Sequence, residues 1–176
     1  MPHVAPVRHT VRVARQRIMT PLRWSDMDAY GHVNNVQFLR LLEDARVLAF
    51  HGHGSDDGGS MVSTGLLVAR HEIDYIVPLH YRPQPVAIDL WVSELGAATF
   101  EMGYEVLDDS DDRRTVYARA ESTMVAVDLG SGRPRRFTET EVGNLKALWD
   151  EPAPLRRRVR EQRRARSAAS GAFSGG

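Results

Sequence analysis

The sequence predicts an α+β domain in which an antiparallel sheet of five strands wraps one long central helix. Three observations carry that expectation. One segment, Asn35 to about His51, repeats its apolar residues at helical spacing and is apolar over a broad arc. Beyond Ser60 the period changes to two and stays there through four consecutive segments. The links between those segments are short, which favours antiparallel pairing of neighbours in the chain.

Taken in order, Val11 to Trp24 mixes β-branched and apolar residues with arginines and reads as the first strand. A polar, glycine-containing loop follows from Ser25 to Asn34. Asn34 suits a helix N-cap, and the stripe Val36, Leu39, Leu42, Ala45, Ala49, widened by Phe38, Leu41, Leu48 and Phe50, predicts deep burial. Gly52 and Gly54 end the helix, and the chain runs on through a connection to Ser60.

The second strand is expected over Leu66 to Val77. In the third, Val86, Ile88, Leu90 and Val92 alternate with Ala87, Asp89, Trp91 and Ser93. In the fourth, Phe100, Met102, Tyr104 and Val106 alternate with Thr99, Glu101, Gly103 and Glu105. Both read as half-buried strands. The acidic stretch Asp108 to Asp112 turns into a fifth strand, Thr115 to Val127, and Thr138-Glu139-Thr140-Glu141 has the capping pattern of a second helix, reaching about Trp149.

A length of 176 residues fits one core, placed over residues 1–150, with an arginine-rich, flexible tail over 151–176. The absence of cysteine rules out a disulfide framework and a thiol nucleophile, and favours the cytoplasm. No run approaches the roughly 20 apolar residues of a membrane span, so no membrane insertion is expected. Seven arginines after Pro154 face only Glu161, which puts about +6 on the tail and leaves the body near −6. Without interleaved aromatics, such a tail is a weak nucleic-acid signal. Disorder, a loosely docked helix and folding against the acidic body all remain open.

The densest polar information is Trp24-Ser25-Asp26-Met27-Asp28-Ala29-Tyr30-Gly31-His32-Val33-Asn34-Asn35. It immediately precedes the helix marked as buried. A helix start offers unpaired N–H groups and partial positive charge, suited to a carbonyl oxygen that becomes negative during hydrolysis. The backbone N–H groups of Asn35 and Val36 are the candidate donors. A carboxylate, with an ordinary pKa of about 3.9, is ionised at neutral pH and can attack or activate water. Asp28 is the candidate for that role and Asp26 the fallback. His32 is a candidate to orient the carboxylate, donate to the carbonyl or carry a proton. The same residue types also serve simply as caps and turn formers.

At these residues the chain resembles a known family. Arg23 to Asn35, followed by Phe38-Leu39 and Leu42-Glu43-Asp44-Ala45-Arg46, is similar to the signature of hotdog-fold acyl-CoA thioesterases of the 4-hydroxybenzoyl-CoA thioesterase type. His71 to Tyr75 with Pro78-Leu79, and Gly130 to Phe137, resemble the family's strands and closing segment. The likeness covers about Val11 to Trp149.

The resemblance implies a hotdog fold and hydrolysis of acyl-CoA to free acid and CoA. In that family the second aspartate of the Asp-x-Asp pair attacks or activates water, and the amide at the central helix start polarises the carbonyl, roles that fall here on Asp28 and Asn35. It also implies at least a homodimer, or a homotetramer, with the site at a subunit boundary. Coenzyme A enters as part of the substrate, and no metal or further cofactor is expected. Asn34, Val36 and Tyr30 flank the site as substrate-binding candidates, while Arg82, Arg133 and Arg135, with Arg136, are candidates for the phosphates of coenzyme A, with solvated loop charge an equally good account of them. The His-Val-Asn-Asn string also resembles acyl-carrier-protein thioesterases, but Tyr30 stands where those carry asparagine. Ala29 stands where the benzoyl enzymes carry proline, so no aromatic preference follows.

Glu43, on the helix, is a further candidate carboxylate, although such a residue more often pairs with a neighbour, here Arg46 or Arg40. His51 and His53 read as solvated helix-end residues rather than metal ligands. No Gly-x-Ser-x-Gly elbow is present. Two rival readings stand beside hydrolysis: a hotdog hydratase or dehydratase, and a non-enzymatic acyl-CoA-binding module.

Overall fold

The computed structural model describes residues 15–51, 65–110 and 113–171. The start of the expected first strand at Val11, the helix stop at Gly52 and Gly54, the connection to Ser60 and His53 lie outside them, as does the side chain of His51.

The described elements are β1 (Gln16–Thr20), a 3-10 turn (Trp24–Asp26), α1 (Asn35–His51), β2 (Leu66–Tyr75), β3 (Val86–Leu95), β4 (Thr99–Asp108), β5 (Thr115–Ala126), α2 (Glu139–Ala147) and α3 (Arg156–Gly171), and from β1 to α2 the strands and α-helices come in the expected order. The strands form one antiparallel sheet in the order β1-β3-β4-β5-β2, with β1 and β2 at its edges. The expected first strand is shorter at its end, because Trp24 to Asp26 turn instead of extending.

Helix α1 buries Phe38, Leu41, Leu42, Ala45, Ala49 and Phe50. The buried arc is therefore rotated from the expected stripe: Val36 is 62% exposed and Leu48 53%. Both arcs satisfy helical spacing, and only the partner surface selects between them. That surface comprises Ile88, Leu90 and Val92 of β3, Phe100, Met102, Tyr104 and Val106 of β4, and Ala118, Ala120 and Met124 of β5. Helix α2 closes the core with Leu145. Its capping box is formed as expected, the Thr138 hydroxyl accepting from the Glu141 N–H and the Glu141 carboxylate accepting from the Thr138 N–H.

The other face of the sheet departs from the alternation. β3 is buried on both faces from Val86 to Ser93, not half-buried. Distant segments cover what alternation reads as the solvent side. Arg17 forms a two-pronged pair with Asp89 at 2.6 and 2.9 Å. Glu105, 4% exposed, accepts from Arg15, Arg114 and Arg119. Burial pushes the Glu105 carboxyl up, but the Arg119 and Arg114 bonds outweigh it and hold its pKa below the ordinary value. Trp91 is fully buried against Ala153 and Leu155, with its Nε1 donating to the Glu151 carbonyl.

Residues 156–171 are helical, and α3 docks on this same face. Arg158 forms a two-pronged pair with buried Glu121, both contacts at 2.9 Å, and Arg157 reaches Glu72 at 3.2 Å. The basic segment thus meets acidic groups of the sheet, as charge asymmetry suggests.

Between α1 and the sheet runs a polar chain. Arg46 donates to the Tyr104 hydroxyl at 3.2 Å, Tyr104 is hydrogen-bonded to Ser122, and the Ser122 hydroxyl lies 2.7 Å from His71 Nδ1. Burial and then the Arg46 charge lower the His71 pKa, against a smaller pull from Glu43. The unfolded chain therefore takes up this proton first on acidification. Its contribution to stability is whole above about pH 6.5 and declines as pH falls from there towards the lowered folded value. The urea midpoint is expected to fall more steeply between pH 7 and 5 in the parent than in His71→Gln, and equal slopes would contradict this.

Candidate active site

The loop from Asp26 to Asn34 is built by its own carboxylates. Asp26 is 2% exposed, and its Oδ2 accepts from the Arg23 N–H at 2.7 Å and from Arg40 at 2.8 Å. Its carbonyl accepts from the Asn34 N–H at 2.8 Å. Asp26, the fallback carboxylate, is thus buried and paired within the loop and does not line the cleft described below.

Asp28 is only partly buried. Its Oδ1 accepts from the Tyr30 N–H at 2.8 Å and the His32 N–H at 3.2 Å, closing an Asx-type turn. Its N–H donates to the His32 carbonyl, and Gly31 closes the turn at φ 76°, a conformation that favours glycine. Among the described residues, Oδ2 has no hydrogen-bond partner. The turn-forming and chemical readings of Asp28 are thus compatible: one oxygen builds the loop and the other is left over.

The helix start is equally divided. The Asn34 side chain accepts from the Val36 N–H at 3.0 Å, as an N-cap does, and the Asn34 carbonyl accepts from the Gln37 N–H. The Val36 amide, the second candidate donor, is therefore engaged by the cap, and Val36 does not line the cleft described below. The Asn35 N–H has no partner among the described residues. Asn35 is solvent-exposed, and no acidic side chain lies in the first turn to compete for its positive end.

Asp28, His32 and Asn35 meet in one open cleft of ≈ 340 Å³. Its opposite wall is Tyr75 to Leu79, the segment that leaves β2, with Phe38 and Val33 as floor. Tyr75 stacks edge-on against Phe38 at 5.3 Å and donates its hydroxyl to the Asn35 carbonyl at 3.1 Å. Burial raises the Tyr75 pKa, against the weaker effect of that hydrogen bond, so the phenol stays a donor. The Val33 N–H donates to the Leu79 carbonyl at 2.7 Å, tying the loop to the wall. His32 meets His80 edge to face at 4.8 Å, and His80 Nδ1 lies 3.1 Å from the Gly31 carbonyl.

The remaining candidates stand elsewhere. Tyr30 is 84% exposed at the loop tip. Arg82 pairs with Asp108, and Arg135 makes a two-pronged pair with Glu141 at 2.6 and 2.8 Å. Arg133 lies in the exposed turn after β5. None of the three lines the cleft. Glu43 is exposed and not on the cleft wall, and Arg40 pairs with Asp26 and Asp44 rather than with it. Tyr75, Pro78 and Leu79 were matched from the sequence only as part of a family-like strand, and neither they nor Ile76, Val77 and His80 were singled out as lining or adjoining the site. Their signal is an apolar run ending in proline after a strand, which marks a turn but not what it faces.

Chemically, the cleft offers a carboxylate oxygen, a helix-start amide without a partner among the described residues, an imidazole and an apolar wall. Among the described residues, no three His, Asp or Glu side chains are arranged to hold a metal. Among them, too, no helix is long and apolar enough to cross a membrane.

The profile of the thioesterase-like superfamily matches residues 22–162. No match is found among curated proteins. Among solved structures, a thioesterase from Thermus thermophilus, described in complex with coenzyme A and Zn, is 27% identical, covering 75% of this chain and 92% of its own at a TM-score of 0.61. A candidate acyl-CoA thioesterase from Xanthomonas campestris is 30% identical over 65% of this chain and 93% of its own, at 0.56. A thioesterase candidate from Bacillus stearothermophilus, at 21% identity and 0.64, covers 79% and 99% and bears on the fold alone.

Proposed function

The chain belongs to the thioesterase-like superfamily, and from that premise we propose that it hydrolyses acyl-CoA thioesters to a free acid and CoA in the cytoplasm. The observation that carries this reading is the meeting of Asp28 and the unpaired Asn35 N–H in one cleft. The thioester carbonyl lies against the start of α1, its oxygen accepting from Asn35. Negative charge that builds on that oxygen in the tetrahedral intermediate is stabilised there, where helix-end dipoles favour it. Asp28 acts on the carbonyl carbon, either directly or through a water from which it takes a proton. His32 positions the carbonyl or the leaving thiol, and the apolar wall of Ile76, Val77 and Leu79 takes part of the acyl group. The chemistry asks for no metal and no cofactor beyond the substrate's own CoA.

Within the superfamily, the Arg23 to Asn35 string supports placement with the 4-hydroxybenzoyl-CoA thioesterase type. The chain works as a homo-oligomer in this reading. Its support is apolar surface left open in a single chain, with Leu67 of edge strand β2 56% exposed and Val36 of α1 62%.

A thiol-release assay across acyl-CoAs of differing chain length and aromatic content tests the reaction. Release well above the buffer rate is expected for at least one class. Hydration of an enoyl-CoA without thiol release, or tight acyl-CoA binding with no turnover of any substrate, would overturn it.

A further inference from the structure

We propose that the groove along helix α3 holds the phosphates of the substrate's nucleotide, with Arg156, Arg160 and Arg164 as the residues that bind them. This rests on the acyl-CoA reading above. The groove has a volume of ≈ 500 Å³ and is lined by Arg156, Arg157, Arg160 and Arg164 with Asp74 and Glu161. Arg156, Arg160 and Arg164 recur every four residues and so share one helix face, along about 12 Å of axis.

The basic residues of α3 divide into two kinds. Arg158 is committed to Glu121, and Arg157 to Glu72 and Glu161. Arg160 and Arg164 have no carboxylate within ion-pair distance among the described residues. The two acids in the groove are already engaged: Asp74 accepts from the Arg156 N–H at 2.5 Å, and Glu161 from Arg157 at 3.2 Å. Like charges four residues apart destabilise a helix, and cations in its first turn oppose the macrodipole. The stripe therefore works against the helix that carries it unless an anion lies over it. Guanidinium groups grip phosphate through paired donors.

The groove and the cleft meet at the end of β2, where Asp74 lines the one and Tyr75 the other. Arg156 donates from Nη2 to the Tyr75 carbonyl at 3.2 Å, while the Tyr75 side chain lines the cleft and bonds the Asn35 carbonyl. The end of β2 thus belongs to both. A thioester at the start of α1 sends its pantetheine arm over Tyr75, and the phosphates arrive at the arginine stripe. The other arginine candidates, Arg82 and Arg135, are paired elsewhere.

The test uses the full chain carrying both Arg160→Gln and Arg164→Gln, which spares the Arg156 contacts to β2. Two substrates are compared, an acyl-CoA and the matching acyl-pantetheine, which lacks the nucleotide. The double variant is expected to raise KM for acyl-CoA on the order of tenfold, with kcat changed much less. Its kcat/KM for acyl-pantetheine should match that of the parent. Binding of 3′,5′-adenosine bisphosphate, followed by calorimetry, should weaken by a similar factor, and thermal melting confirms that the variant folds. Unchanged KM for acyl-CoA, or an equal loss on both substrates, overturns the inference while leaving hydrolysis standing. If the parent hydrolyses neither substrate, the calorimetry still decides: no bisphosphate binding by the parent overturns the inference, and binding weakened by the double variant supports it. Loss of affinity for duplex DNA with no bisphosphate binding assigns the stripe to nucleic acid and also overturns it.

Discussion

Replacing Asp28 by Asn is expected to lower the turnover of acyl-CoA by about two to four orders of magnitude, the usual worth of a positioned general base, while leaving the fold intact. The separation of the two effects follows from how the side chain is used. Oδ1 is engaged by the Tyr30 and His32 N–H groups, and the amide oxygen of asparagine can accept the same two bonds. The atom that changes character is the one without a partner among the described residues. An amide nitrogen there can neither accept a proton nor attack a carbonyl. Thiol release and a melting curve on the same preparation check both halves. Near-parent turnover would remove Asp28 from the chemistry. Asn35→Ala should do far less, because the donor assigned to Asn35 is its backbone N–H.

Trp91→Ala is expected to cost about 3–5 kcal/mol of folding stability, the range for deleting a buried large aromatic. The indole lies on the sheet face away from α1, is fully buried, and donates from Nε1 to the Glu151 carbonyl at 2.7 Å. The Arg15 guanidinium sits 3.8 Å above the ring, and Ala153 and Leu155 pack against it. It is the apolar anchor of the segment leading into α3. Its space exists because Gly103 is opposite it in the register. A Cβ at position 103 would lie 2.5 Å from the Trp91 ring, so Gly103→Val should destabilise through overpacking at the same point, by about 1–3 kcal/mol. Urea unfolding measures both. Limited proteolysis should show α3 cut sooner in each variant than in the parent. A Trp91→Ala loss below about 1 kcal/mol would mean that α3 and its lead-in hold to the sheet without the indole.

Much of this architecture was legible in the sequence, because helix and strand periods are local properties of the chain. The start of α1, its Asn34 cap and the Thr138 capping box follow from neighbouring residues alone. The resemblance of Arg23 to Asn35 to a family signature led to the proposal of Asp28 and the start of α1 as the site. Three matters were not legible. Asp26 and Asp28 are two residues apart and chemically alike, and what divides them is Arg40, fourteen residues on, which pairs with Asp26. The cleft wall comes from Tyr75 to Leu79, forty residues beyond the loop it faces. Asp89, Trp91 and Glu105 look solvent-facing by alternation, yet Arg15, Arg17 and the approach to α3 bury them.

The sequence by itself determined which segments are helix or strand, their order, and the polar loop placed before a buried helix. The tertiary structure decided which carboxylate has an oxygen, and which helix-start amide an N–H, without a partner among the described residues, and which arginines pair with the sheet. The reason is physical. A backbone period is set by sterics and hydrogen bonds within a few residues, whereas the state of a charged side chain depends on whatever partner the fold brings within about 4 Å.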